Sequence, residues 1–165
     1  HHNAPAAVRY PRGTGPGCGL DKARTDLKIG ESLPLRHGRK TAILAVGSMV
    51  ETCKSIAEQL DASLINMRFV KPLDELAISA LSKSHELIVT IEENVVKGGA
   101  VSAVDEYLAS INSDCKLLNL GLPDHFIEHG DTSILLADCG LDAIGIQKTI
   151  LTVLPAPLAD SAESA

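Results

Sequence analysis

The sequence predicts an α/β fold: a three-layer αβα domain built on a mainly parallel sheet of about five strands. Two observations carry this. From Thr41 onward, short β-type runs alternate with segments whose apolar residues recur at helical spacing. Short connections between such units lay the strands parallel through right-handed crossovers. The first of these runs, T-A-I-L-A-V-G at 41–47, is also apolar throughout, as a strand covered by helices on both faces must be.

The elements follow in order. Ser48 with Glu51 three residues later forms a capping-box signature, in which the serine hydroxyl and the glutamate side chain satisfy each other's backbone amides. Val50, Cys53, Ile56, Ala57 and Leu60 then mark one helical face. S-L-I-N-M-R-F at 63–69 predicts a second strand. Pro72 and Asp74 open a second helix with the stripe Leu73, Leu76, Ala77, Ala80 and Leu81. E-L-I-V-T-I-E at 86–92 is the third strand, and Gly98-Gly99 lead into a helix carrying Val101, Val104 and Leu108. K-L-L-N-L-G at 116–121 is the fourth. Two short helices close the domain, one ending at Gly140 and one running from near Asp142 to a stop before Pro155.

This places a core domain at 40–154 and a disordered Ala/Pro/Ser-rich tail at 155–165. The first forty residues differ. Ala6 to Tyr10 reads as a strand that ends in Pro11, Arg12 and Gly13, with no helix behind it. Residues 1–13 are therefore expected to be the last strand and loop of a truncated upstream domain. Residues 14–39, rich in glycine, proline and mixed charge, are expected to be an interdomain linker with one short strand near Leu33–Arg36. His1 and His2 are a tag remnant or native sequence.

Composition excludes several functions. The 165 residues are 45% hydrophobic and 22% charged, with a net charge of −6, which disfavours non-specific attraction to nucleic acid or anionic membrane. With no Trp, two Tyr and two Phe, a base-stacking surface is hard to build. No apolar run approaches the roughly 20 residues of a membrane span. Cys18, Cys53, Cys115 and Cys139 are 35, 62 and 24 residues apart, without a metal-type pair, and read as free thiols. His125 and His129 stand four apart in a loop, a weak metal spacing.

In such sheets ligands bind beyond the C-terminal ends of the strands. The loop after 41–47 lacks G-x-G-x-x-G, and there is no P-loop. I-E-E-N-V-V-K-G-G-A at 91–100 has Glu92 and Glu93 at a strand end and glycine amides opening a helix, an arrangement suited to an anion. The alternative is that the glycines allow a tight turn and close packing, with the carboxylates facing a neighbouring domain or subunit. G-L-P-D-H-F-I-E-H-G at 121–130 offers Asp124, Glu128 and His129 as an acid–base set. With no nucleophile nearby, it reads better as an interface or an ordered surface loop.

N-M-R-F-V-K-P-L-D (66–74), V-T-I-E-E-N with G-G-A (89–100), L-N-L-G-L-P-D-H-F-I-E-H-G (118–130) and C-G-L-D-A-I-G-I (139–146) occur in order. Together they resemble the transketolase-like C-terminal domain of the 1-deoxy-D-xylulose-5-phosphate synthase family. A-V-R-Y-P-R-G at 7–13 is similar to the end of that family's central pyrimidine-binding domain. The resemblance implies a thiamine-diphosphate- and Mg²⁺-dependent homodimer that condenses pyruvate with glyceraldehyde 3-phosphate, releases carbon dioxide and supplies isoprenoid, thiamine and pyridoxal precursors. It implies a cytoplasmic enzyme, or a plastid one in a plant. Cofactor, metal and catalytic glutamate then belong to domains absent here, so the chain holds no catalytic or metal residue of its own and is inactive alone. The one residue the motif carries over is Arg12, which matches a position implicated in holding the phosphate of glyceraldehyde 3-phosphate. A guanidinium in a strand-end loop suits a phosphate physically. The alternatives are the same domain of another transketolase-like enzyme, or an autonomous anion-binding or dimerisation module.

Overall fold

A computed structural model describes residues 4–8, 10, 17 and 26–154. Five strands form one sheet: β1 (Leu33–Arg36), β2 (Thr41–Ala45), β3 (Ser63–Asn66), β4 (Leu87–Val95) and β5 (Lys116–Leu122). Their spatial order is β1-β3-β2-β4-β5. β3, β2, β4 and β5 run parallel, and β1 pairs antiparallel with β3 at the edge. The helices are α1 (Met49–Gln59), α2 (Glu75–Ser84), α3 (Ala100–Ser110), α4 (Thr132–Asp138) and α5 (Ala143–Val153).

The period of two along the central strands divides the core into two layers. Ile43, Ala45, Leu87, Val89 and Ile91 face α1 and α5, where they meet Met49, Cys53, Ile56, Ile146 and Ile150. Ala42, Leu44, Ile65 and Ile88 face the other way, towards Ile78 of α2 and Val104 and Leu108 of α3. All five residues of β2 are buried. This is the three-layer αβα arrangement that the continuous apolar runs require. Burial pushes the Cys53 thiol up to about 12, so it acts as a small apolar core residue.

Several local expectations change. Residues 33–36 form the short strand expected there, β1, but it belongs to the sheet rather than to a linker ahead of a core beginning at Lys40. The link is tight. Arg36 donates to the Ala62 carbonyl at 2.7 Å and pairs with Asp61 at 2.8 Å. Ser32 donates through both its amide and its hydroxyl to Asp74, each at 2.7 Å. Residues 4–8 and 10 adopt no strand; the five-stranded sheet takes no strand from this segment, and Val8 and Tyr10 stand exposed. α2 is rotated from its expected stripe. Ile78 is buried with Leu73 and Leu81 packed beside the core, whereas Leu76 points to solvent. α3, α4 and α5 lie where the spacing placed them, and Gly140, at φ +70°, follows α4. The tail 155–165 lies outside the described residues.

Asp74 caps α2 by accepting from the Ala77 amide at 3.1 Å. Burial pushes its carboxyl up, but the Ser32 and Ala77 donors outweigh this and hold it below the usual range. Asp61 is also lowered, first by the hydrogen bond from Arg36 and then by that from Arg39. A carboxylate whose folded pKa is depressed stabilises the fold above its unfolded pKa of about 3.9, and that contribution fades as pH falls through the lower folded value. Asp61→Asn should therefore lower the melting temperature at neutral pH, and the gap from the parent should close in acid below pH about 4. A gap independent of pH in thermal melts would remove Asp61 from the acid dependence.

Candidate functional site

β2 leads to β3 through α1 on one face, and β3 crosses to β4 through α2 on the other. The chain thus reverses its direction of travel at the neighbouring strands β2 and β4, and the crevice for a ligand lies outside their C-terminal ends. Ser48, after β2, donates its hydroxyl to Glu93, after β4. The expected capping box is therefore absent: Ser48 makes no side-chain cap to α1, because its oxygen is aimed across the switch point instead.

Beside it lies Glu92, 3% exposed. Its carboxylate accepts from the amides of Ala100 at 3.0 Å and Val101 at 3.2 Å, the first residues of α3. The anion that the α3 N-terminus attracts is thus supplied by the chain itself. The glycines do the packing work of the alternative reading. A Cβ on Gly99 would stand 2.1 Å from Glu92 Oε1 and 2.5 Å from the Val95 carbonyl. Glu93 and Asn94, by contrast, are exposed.

β3 ends in an unusual way. Asn66 is its last residue, and Arg68 takes a left-handed backbone, φ +54°, a conformation that costs an L-residue about 1–2 kcal/mol. This is why the strand stops short of the expected Phe69. The Arg68 side chain is exposed, and among the described residues no carboxylate pairs with it. A strained arginine at the C-terminal end of a strand marks a candidate site residue. The sequence shows only an arginine within N-M-R-F and gives no sign of its backbone. Arg12 lies outside the described residues.

The 121–130 loop does not assemble an acid–base set. Asp124 pairs with Lys97 at 3.1 Å, and Glu128 and His129 are exposed. Asp124 and Lys97 line an open cleft of about 450 Å³ between the ends of β4 and β5, with His125 and Cys139. Phe126 projects fully into solvent. Among the described residues no three His, Cys, Asp or Glu side chains converge as metal ligands, and no helix is long and apolar enough to cross a membrane.

The family model for the transketolase C-terminal domain matches residues 30–146. The chain belongs to the transketolase C-terminal domain family. That match starts ahead of β1, in agreement with the sheet. This transketolase C-terminal domain is 53% identical over 148 residues to a 1-deoxy-D-xylulose-5-phosphate synthase of Chromobacterium violaceum, covering 90% of this chain and 24% of the relative. It is 52% identical over 162 residues to the synthase of the same name from Chromohalobacter salexigens, covering 97% of this chain and 25% of the relative. The chain therefore spans about a quarter of the length of these relatives. Among solved structures it is similar to a split-gene transketolase in an inactive β4 tetramer, with a TM-score of 0.72 and 27% identity over 79% of this chain and 44% of that one.

The Glu92 contact sets a stability test. Glu92→Gln turns one acceptor into a donor facing an amide, and should cost about 1.5–3 kcal/mol, the value of hydrogen bonds to a charged group. Gly99→Ala displaces the same carboxylate and should cost at least as much. Because both remove one interaction, the double variant should lose less than the sum of the two in urea melts. Strict additivity would show that Gly99 does not act through Glu92.

Proposed function

We propose that this chain is the C-terminal domain of a 1-deoxy-D-xylulose-5-phosphate synthase, an enzyme that joins pyruvate to glyceraldehyde 3-phosphate with loss of carbon dioxide. The identity of 53% over 148 residues to a protein of that name carries the proposal. The assembly it fits is a homodimer of the longer polypeptide. Thiamine diphosphate and Mg²⁺ sit on residues outside this chain. Two features support that placement. The described residues do not fit a diphosphate–metal site, since the α3 N-terminus already holds Glu92 and no set of metal-ligating side chains converges. Bound elsewhere, the cofactor supplies the carbanion chemistry, and the role of this domain is to bind and orient the acceptor.

That role falls to arginine. Arg12, in Y-P-R-G, is proposed to hold the acceptor's phosphate, and Arg68 is proposed as a second contact because it is exposed beyond β3 and, among the described residues, no carboxylate pairs with it. A planar guanidinium meets phosphate oxygens with two parallel hydrogen bonds. Neither residue moves a proton in this role.

In the full-length enzyme, Arg12→Ala and Arg68→Ala should each cost about 1.5–3 kcal/mol of acceptor binding, roughly one to two powers of ten. The Michaelis constant for glyceraldehyde 3-phosphate should rise by that factor while the constant for pyruvate holds. Activity towards unphosphorylated glyceraldehyde should survive. Equal losses with both acceptors would assign these arginines to the fold.

For the chain as it stands, calorimetry with thiamine diphosphate and Mg²⁺ should give no saturable heat. Micromolar binding would place part of the cofactor site here and overturn the assignment.

A further inference from the structure

Arg68 holds a backbone conformation that an arginine does not choose, so something around it must impose that shape. Three contacts do. Met67, immediately before it, is buried and donates its amide to the Ala45 carbonyl at 3.0 Å, which extends the β2–β3 ladder one residue past the strand. Phe69, immediately after it, donates its amide back to the Met67 carbonyl and lines a small apolar cavity with Leu44, Val46 and Leu73. The Arg68 amide itself is taken by the side-chain oxygen of Asn66 at 3.0 Å. Asn66 is half-buried and fixed from both sides, paired across the sheet with Ala45 and with Leu33.

An asparagine that accepts from the amide two residues on is a local turn-former in competition with extended strand. At this place it ends β3 and turns the next residue left-handed. Met67 is anchored in the core, Phe69 is half-buried beside Leu44, Val46 and Leu73, the Arg68 amide is clamped, and among the described residues no carboxylate pairs with the Arg68 side chain. We infer that Asn66 is a positioning residue for the acceptor phosphate: its carboxamide oxygen locks the Arg68 backbone so that the guanidinium is presented beyond the C-terminal end of β3. This rests on the reading of Arg68 as a phosphate contact. Rigid presentation matters because a floppy arginine must lose side-chain and backbone freedom on each binding event, which weakens affinity without removing any contact.

The test is steady-state kinetics of the full-length enzyme with pyruvate and either glyceraldehyde 3-phosphate or unphosphorylated glyceraldehyde. Asn66→Ala removes the acceptor atom. Asn66→Leu, close in volume, does so without opening a void, and serves if the alanine variant does not fold. Asn66→Asp keeps an oxygen in place. The alanine or leucine variant should raise the Michaelis constant for glyceraldehyde 3-phosphate about 3–10-fold, a smaller effect than losing the cation itself. The pyruvate constant and glyceraldehyde turnover should stay within about twofold. Asn66→Asp should restore the parent value. In an Arg68→Ala background, Asn66→Leu should have no further effect, since its action passes through the arginine. An unchanged acceptor constant in Asn66→Leu, an equal loss in Asn66→Asp, or a full additional loss in the Arg68→Ala background would each overturn the inference. If Arg68→Ala alone leaves the acceptor constant untouched, the reading of Arg68 falls first and the role of Asn66 falls with it. If Arg68→Ala raises that constant but Asn66→Leu does not, the positioning claim alone is wrong.

Discussion

The domain is organised around a carboxylate sealed beneath a helix. Glu92 leaves the central strand β4 and accepts from the first amides of α3, so the strand end and the helix start are held by one side chain. A buried carboxylate needs several donors to offset its lost hydration, and the start of a helix offers unsatisfied amides together with a favourable dipole. Other features follow. Residue 99 has to be glycine because the carboxylate occupies the space of a side chain. The β4–β5 ladder shifts register between Ile91 and Val95, the stretch that contains Glu92. Gly121, on β5, then passes within 2.7 Å of the Asn94 carbonyl by the position of its absent Cβ.

This has a functional consequence. A helix N-terminus at the switch edge of an α/β sheet is where phosphates usually bind. Here that place is filled from within by Glu92. The same edge presents Arg68, its backbone held by Asn66 and by Met67, which is buried in the core. Lys97 is matched by Asp124, and Ser48 and Glu93 join the two loops at the switch point. The start of α3 is therefore closed to an external anion, while Arg68 stays exposed with no carboxylate paired to it among the described residues.

Much of the architecture was legible in the residues. Continuous apolar runs at 41–47 and 86–92 and helical spacing at Val101, Val104 and Leu108 gave the layers directly, because burial on two faces or one leaves a period in the chain. The ordered motifs from N-M-R-F to C-G-L-D likewise led to the family that the 30–146 match identifies. Less was legible about β1 and α2. Leu33–Arg36 reads as a short strand but one inside a linker, because it is four residues long among glycines and charged residues, and its attachment depends on Asp61 and Asp74, distant in sequence. The α2 stripe differs by a rotation that Ile78 decides when it docks on β2 and β4.

What the sequence determined by itself was the alternation of strands and helices from Thr41 onward, the two-sided burial of β2, and the family, all of which rest on local periodicity or ordered motifs. Tertiary structure alone decided what the polar residues do. Ser48 could cap its own helix or bridge to Glu93; Glu92 could face solvent, a ligand or a helix start; Arg68 could continue a strand or turn out of it. In each case the local chain permits both outcomes, and the choice is made by a partner that packing brings into reach, 45 residues away for Ser48 and eight or nine for Glu92, or by a backbone angle set between buried Met67 and half-buried Phe69. Hydrogen bonding is directional and short-ranged, so its partners are known only once packing has brought them together.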